Sequence, residues 1–205
     1  MEKNVTEVVF ILDKSGSMSG QEADVIGGFN SMIEKQQKTE GKVWVSTVLF
    51  NHKSSVLHDR VDLSQIKPLT RDDYFVDGNT ALLDAVGGAI RHISNIHKYA
   101  RKEDVPAKTL FIVHTDGMEN ASRTYTRADI KQMIKQQEEN CGWEFLFAAA
   151  NIDTKEFAAD IGVSPRRVMN YNNDIDMLFD KMDEAVYCCR VCDEDLTDIW
   201  NDKKK

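Results

Sequence analysis

The sequence lacks any hydrophobic stretch long enough to cross a membrane. Its longest apolar runs, at residues 8–12 and 145–150, are far shorter than the roughly 20 residues that a spanning helix needs. Residues 1–7 carry mixed charges and lead directly into a strand-like run, without the basic and apolar regions of a signal peptide. We therefore expect a cytoplasmic protein that makes no contact with a membrane.

Cysteine and basic charge are also scarce. Lys and Arg number 26 against 34 Asp and Glu, the net charge is −8, and no basic stripe is present, which argues against a nucleic-acid partner. Three of the four cysteines, Cys188, Cys189 and Cys192, lie close together in one predicted helix. This spacing is not that of a disulfide framework, so we expect a reducing compartment. This cluster would hold a structural zinc ion only with a further ligand from elsewhere; otherwise its members are simple thiols.

What remains is the composition of one soluble globular domain, with 41% hydrophobic and 29% charged residues. We predict this domain at residues 1–191, followed by an acidic and then Lys-rich tail at 192–205. Within the tail, Leu196, Ile199 and Trp200 have the spacing of one helical face. We expect either a closing helix with a solvated end, or a segment that docks on a partner or on the domain itself.

Apolar strands alternate with amphipathic helices along the whole domain. Because the strands are nearly continuous in apolar residues, they indicate a parallel sheet that helices cover on both faces. The run at 54–58 follows the strand at 43–50 at hairpin distance, so we expect it to be antiparallel at one edge. The sequence thus predicts a doubly wound α/β fold with six strands. The strands are expected at 6–12, 43–50, 54–58, 108–115, 143–150 and 167–171, and the helices at 21–38, 80–98, 126–139, 154–161 and 175–186.

Side chains with oxygen atoms cluster where these strands end. Asp13, Ser15 and Ser17 follow the first strand at alternate positions, Asp116 follows the strand at 108–115, and Thr80 ends the long connection at 61–79. In a doubly wound sheet, ligands bind at the carboxyl ends of the strands. A set of oxygen ligands with so few carboxylates favours Mg²⁺ or Mn²⁺ over Ca²⁺, and zinc is not expected.

Other interpretations of these residues remain open. Ser19 to Glu22 matches a helix capping box, and Asp-x-Ser-x-Ser runs commonly close turns. A phosphate cradle is disfavoured because the glycine motifs are absent and Asp13 would repel an anion.

A phosphatase would need a second acid where Ser15 stands, and Ser17 lacks the surroundings of a hydrolase serine. The five histidines are dispersed, and we interpret His114 as a core or rim residue rather than a base.

Three further polar residues follow predicted strand ends and could frame the site. They are Glu119, Asn120 and Asp153. We interpret them as solvated residues that cap turns.

Taken together, the residues resemble a known family. Asp-x-Ser-x-Ser at Asp13, Thr80 before Ala-Leu-Leu-Asp-Ala, and Thr-Asp-Gly at Asp116 are similar, in order and spacing, to the metal-ion-dependent adhesion site of von Willebrand factor type A domains. The resemblance covers about residues 5–190. It implies a Rossmann-like sheet with one antiparallel edge strand. It also implies that Asp13, Ser15, Ser17 and Thr80 approach the ion, with Asp116 often acting through water.

The resemblance also implies a function and a setting. The family usually binds proteins, so we expect a non-enzymatic module whose metal accepts a Glu or Asp carboxylate from a partner protein. The compact form is similar to bacterial or phage intracellular members, which commonly act in larger assemblies. Two alternatives stay open: a hydrolase that activates water at the same open metal position, and a structural subunit whose site is vestigial.

Overall fold

The chain forms a single six-stranded sheet with helices on both faces. The computed structural model describes residues 5–116, 118–150, 152–192 and 196–200. The strands are β1 (Val5–Asp13), β2 (Lys42–Phe50), β3 (Ser54–Asp62), β4 (Lys108–Thr115), β5 (Glu144–Ala149) and β6 (Val168–Asn170). The helices are α1 (Glu22–Gln37), α2 (Leu82–Tyr99), α3 (Arg127–Cys141), α4 (Ile152–Asp160), α5 (Ile175–Val191) and α6 (Leu196–Trp200). Among the described residues, no helix is long and apolar enough to cross a membrane.

The strand order is β3-β2-β1-β4-β5-β6, and only the β2–β3 pair is antiparallel. This arrangement confirms the predicted fold class. From β1 the chain first builds β2 and β3 on one side, and then crosses to build β4, β5 and β6 on the other side. The carboxyl ends of β1 and β4 therefore flank the point where the strand order reverses, which is where ligands bind in doubly wound sheets.

Alternate residues of β1 explain why it is buried on both faces. Val8, Phe10 and Leu12 contact the layer that contains α1 and α5. Val9 and Ile11 contact the opposite layer, which contains α2 and α3. Since side chains alternate across a strand, a central strand with two covered faces needs apolar residues at every position.

The edge strand β3 is longer than the sequence predicts. It continues to Asp62 instead of ending at 58, and its pairing with β2 shifts register between Val45 and Val48. Two of the four additional residues, Asp59 and Asp62, are aspartates, which have low strand propensity. Arg60 compensates for this, because its Nε donates to Oε1 of the fully buried Glu7 over 2.6 Å.

The short helix α6 packs onto the domain. Leu196 and Trp200 belong to the core on the α1 and α5 side, and Trp200 is 1% exposed. The indole Nε1 donates to the Phe147 carbonyl of β5 over 3.3 Å. Residues of the segment that we expected to be a tail thus contribute apolar area and a hydrogen bond to the sheet.

Candidate metal-binding site

The site begins with Asp13, the last residue of β1. Its side chain is fully buried, and both carboxylate oxygens are held: Oδ1 accepts the Ser15 N–H at 2.7 Å and Oδ2 accepts the Thr115 hydroxyl at 2.6 Å. Burial raises the pKa of Asp13 to about 6, although these hydrogen bonds oppose the shift. A carboxylate in this position carries a desolvation cost that a cation would offset.

Two serine hydroxyls lie directly beyond this carboxylate. The Oγ atoms of Ser15 and Ser17 are 3.0 Å apart, and Ser15 is 1% exposed whereas Ser17 is exposed. The chain turns through a short 3₁₀ helix at Gly16–Met18, and the Ser15 side chain forms no capping hydrogen bond there. The hydroxyls therefore point towards each other rather than towards the backbone of the helix.

Asp116 closes this cluster from the end of β4. Its Oδ1 accepts the Ser17 hydroxyl at 2.5 Å, and burial raises its pKa. Because β1 and β4 are parallel neighbours, the residues that follow them reach the same point. The structure thus brings together Asp13, Ser15, Ser17 and Asp116 through direct hydrogen bonds, with Thr115 as an additional member.

Thr80 lies on the neighbouring loop and is 3% exposed. The loop is attached to the serine turn, because the Gly16 N–H donates to the Gly78 carbonyl at 2.9 Å. Thr80 itself is fixed through its backbone: its N–H donates to Asn120 Oδ1 at 3.0 Å, and its carbonyl accepts the Asn120 N–H at 3.0 Å. Within the described part of the chain, no direct hydrogen bond joins its side chain to the other four residues.

Glu119 connects the loop after β4 to the start of α2. Its Oε2 accepts the Leu83 N–H at 2.9 Å, and its Oε1 accepts the N–H groups of Ala121 and Ser122 at 2.9 and 2.7 Å. In return, the Asp84 carboxylate of α2 accepts N–H groups from residues 123–125. Asn120 therefore positions Thr80, and Glu119 fixes the same loop to α2. Glu119 also caps the turn at Ala121 and Ser122, and Asn120 is exposed, as expected of solvated residues that cap turns; in addition, both frame the site. The side chain of Asp153 lies outside the described residues.

The long connection at 61–79 is held under the site by Tyr74. This residue is 1% exposed, and its hydroxyl donates to the Asp13 carbonyl over 2.5 Å. The Asp77 N–H donates to the Lys14 carbonyl at 3.0 Å, which ties the end of the connection to the serine turn. The sequence signals the connection by its length, but gives no sign that Tyr74 anchors it.

Comparison with known proteins identifies the family of this chain. The von Willebrand factor type A domain family matches residues 7–183. The chain belongs to this family. No curated protein matches the chain.

Solved structures share the type A fold at low sequence identity. Proximal thread matrix protein 1 from the mussel byssus has a TM-score of 0.61 and 13% identity, over 91% of this chain and 46% of that one. A von Willebrand factor type A protein from Catenulispora acidiphila has a TM-score of 0.57 and 16% identity, over 87% and 41%. An ArnB paralog from Sulfolobus acidocaldarius has a TM-score of 0.59 and 15% identity, over 90% and 45%. This type A domain therefore spans less than half of each of these proteins.

The alternative interpretations of the serine turn fit this type A domain poorly. The N-cap of α1 is Gln21, without a side-chain capping bond, and the Glu22 carboxylate accepts the Gly20 N–H instead. Ser19 and Glu22 therefore do not form the capping box.

His114 is fully buried and hydrogen-bonded to the Tyr171 hydroxyl at 3.0 Å, and burial lowers its pKa to about 3. An imidazole with this pKa is a poor general base at neutral pH.

The cysteine cluster stays separate from the rim. Cys188 and Cys189 are buried, Cys192 is half-buried, and all four cysteines are free thiols. Among the residues with described positions, no three or more His, Cys, Asp or Glu side chains lie together in a way that could hold a metal ion. The rim cluster does not count as such a group because it has only two carboxylates, and its remaining polar atoms are hydroxyls.

Proposed function

We propose that this type A domain is a protein-binding module that depends on Mg²⁺ or Mn²⁺, bound by Asp13, Ser15, Ser17, Thr80 and Asp116. The convergence of Asp13, Ser15, Ser17 and Asp116 at one point of the rim carries the proposal. In an octahedral Mg²⁺ site, ligands at 2.0–2.1 Å place adjacent oxygens about 2.8–3.0 Å apart. The hydrogen-bonded Oγ atoms of Ser15 and Ser17, 3.0 Å apart, are compatible with this separation.

The charges of the site also fit such an ion. Asp13 is buried, and this burial raises the pKa of its carboxyl group because the charged form loses hydration, a cost that a bound cation would offset. The Asp116 carboxylate, bound to the exposed Ser17, is suited to contact the ion through water. Two carboxylates and neutral hydroxyls leave the ion electrophilic, so it would accept a Glu or Asp carboxylate from a partner protein.

The setting that we propose is a bacterial or phage assembly inside the cell. Its support is the state of the cysteines. All four are free thiols, as is usual for proteins of reducing compartments.

The proposal can be tested with Mn²⁺, which speeds the relaxation of water protons when it is bound to a protein and exposed to solvent. We expect chelator-treated protein to enhance this relaxation with Mn²⁺, and a short peptide containing Glu to reduce the enhancement by displacing water. A peptide with Gln in place of Glu should have no effect. An equal effect of both peptides, or no enhancement at all, would contradict the proposal.

A matched pair of variants localises the effect. Ser17→Ala should weaken Mn²⁺ binding, because Ser17 contacts both Ser15 and Asp116. Ser19→Ala removes another exposed hydroxyl two residues away and should leave binding unchanged. Equal affinities in the two variants would count against the proposed ligand set.

A further inference from the structure

A basic cavity lies beside the proposed metal site. Its volume is about 640 Å³, and its lining includes His52, Lys53, Asn79, Asn120 and Arg123. We call it the rim cavity. Lys53 and Arg123 are exposed, and neither forms an ion pair with any described residue. The cavity thus carries two cationic side chains against one carboxylate, Asp84, in a chain with a net charge of −8.

The rim cavity and the metal site share one wall, the segment from Gly78 to Thr80. On one side of this segment the Gly78 carbonyl accepts the Gly16 N–H from the serine turn. On the other side Gly78 and Asn79 line the cavity. Gly78 has a φ of +73°, and an added Cβ would lie 2.3 Å from the His52 Nδ1. Any other residue at this position would therefore strain the backbone and displace the His52 side chain.

The acidic group of the rim cavity, the Asp84 carboxylate, already accepts hydrogen bonds from the backbone. Asp84 lines the cavity, but its Oδ1 accepts N–H groups from Thr124 and Tyr125, and its Oδ2 accepts the Arg123 N–H, all at 2.9 Å. Asn120 uses its Oδ1 for the Thr80 N–H, which leaves its amide NH₂ as a donor. Lys53, Arg123 and the Asn120 amide therefore supply cationic groups and a hydrogen-bond donor that could bind an acidic ligand.

We infer that the rim cavity binds a second acidic side chain of the same partner segment whose first carboxylate coordinates the metal. This inference rests on the proposed function. The partner is then a peptide segment with two Glu or Asp residues, one on each side of the Gly78 wall. Since an extended chain advances about 3.3–3.6 Å per residue, the number of residues between the two acids determines whether both can be reached at once.

Labelled peptides with one Glu, or with two Glu separated by Gly and Ser spacers, test the inference by fluorescence anisotropy in Mg²⁺. At the best spacing, we expect the native protein to bind the two-Glu peptide about three- to tenfold more tightly than the one-Glu peptide. The double variant Lys53→Gln, Arg123→Gln should lose this advantage, while its affinities for Mg²⁺ and for the one-Glu peptide stay unchanged. As a matched control, Arg91→Gln with Lys102→Gln removes two exposed charges elsewhere and should keep the advantage.

The outcomes separate this inference from the proposed function. If Mg²⁺ is required but the two-Glu peptide has no advantage at any spacing, the rim cavity inference fails and the proposed function stands. If the double variant loses the two-Glu advantage but a chelator changes nothing, the cavity binds an acid and the metal-dependent function fails. Equal losses in the double variant and in the control pair would show that the two-Glu advantage depends on the overall charge of the protein and not on the rim cavity. That result would overturn the inference.

Discussion

At the scale of single residues, the site depends on how Asp13 is oriented. Its Oδ2 accepts the Thr115 hydroxyl at 2.6 Å, and both side chains are fully buried. Thr115→Val keeps the shape but leaves this oxygen without its partner. We expect the free energy of unfolding to fall by about 1–3 kcal/mol in urea titrations, and Mg²⁺ affinity to fall as well. Thr109→Val, at the other end of β4, is the control, because the buried Thr109 forms no side-chain hydrogen bond with described residues. Equal losses in both variants would contradict this role of Thr115.

The cysteines allow a prediction about chemical reactivity. Burial raises the pKa of Cys189 to about 11, whereas Cys141 is exposed. Because the thiolate is the reactive form and a raised pKa keeps Cys189 protonated, iodoacetamide at pH 8 should alkylate Cys141 first. Peptide mass spectrometry after short labelling measures this order, and urea should make all four thiols reactive. Equally rapid labelling of Cys189 in the folded protein would contradict its burial.

At the scale of elements, Glu119 joins the loop after β4 to the first turn of α2. Glu119→Gln would place an NH₂ group against N–H donors from Leu83, Ala121 or Ser122. We expect the variant to lose about 1–3 kcal/mol of stability and to bind Mg²⁺ more weakly, since the same loop holds Thr80. Thermal denaturation and calorimetry measure the two effects. Glu103→Gln, at an exposed site, should change neither, and native-like Mg²⁺ affinity in Glu119→Gln would refute the positioning role.

A second connection between elements lies far from the rim. Arg190 of α5 donates to the Gln36 carbonyl at 2.8 Å and to the Thr39 carbonyl at 2.7 Å, so it satisfies carbonyls at the end of α1. Arg190→Met keeps the aliphatic contacts and removes these bonds. We expect a loss of about 1–3 kcal/mol in urea denaturation with unchanged Mg²⁺ affinity. A change in affinity would show that the α1–α5 layer influences the site.

At the scale of the whole molecule, the sequence predicts the architecture because the burial of strands and helices determines the order of apolar and polar residues along the chain. Strands that are covered on both faces need continuous apolar runs, and the sequences of β1, β4 and β5 contain such runs. The pairing of an acid and two hydroxyls after β1 with an acid after β4 is visible too, since parallel neighbours end at one edge. Family membership follows from the same motifs and is confirmed.

What the sequence does not reveal depends on contacts between distant segments. Tyr74 lies 61 residues from the carbonyl that it binds, and Glu119 lies 36 residues from Leu83. No local periodicity encodes such bonds. The length of β3 and the docking of Trp200 onto β5 likewise depend on partners in other elements. Only the assembled fold shows which polar residues hold the loops of the site.

The binding of a divalent cation at this rim is the central claim, and isothermal titration tests it most directly. Mg²⁺ and Mn²⁺ are titrated into chelator-treated protein and into Asp13→Asn, which keeps the size of the buried side chain and removes its charge. Circular dichroism establishes that both proteins are folded. We predict one-to-one binding to the native chain and none to the variant. Absence of binding to the folded native chain, or equal binding to both proteins, would contradict the claim.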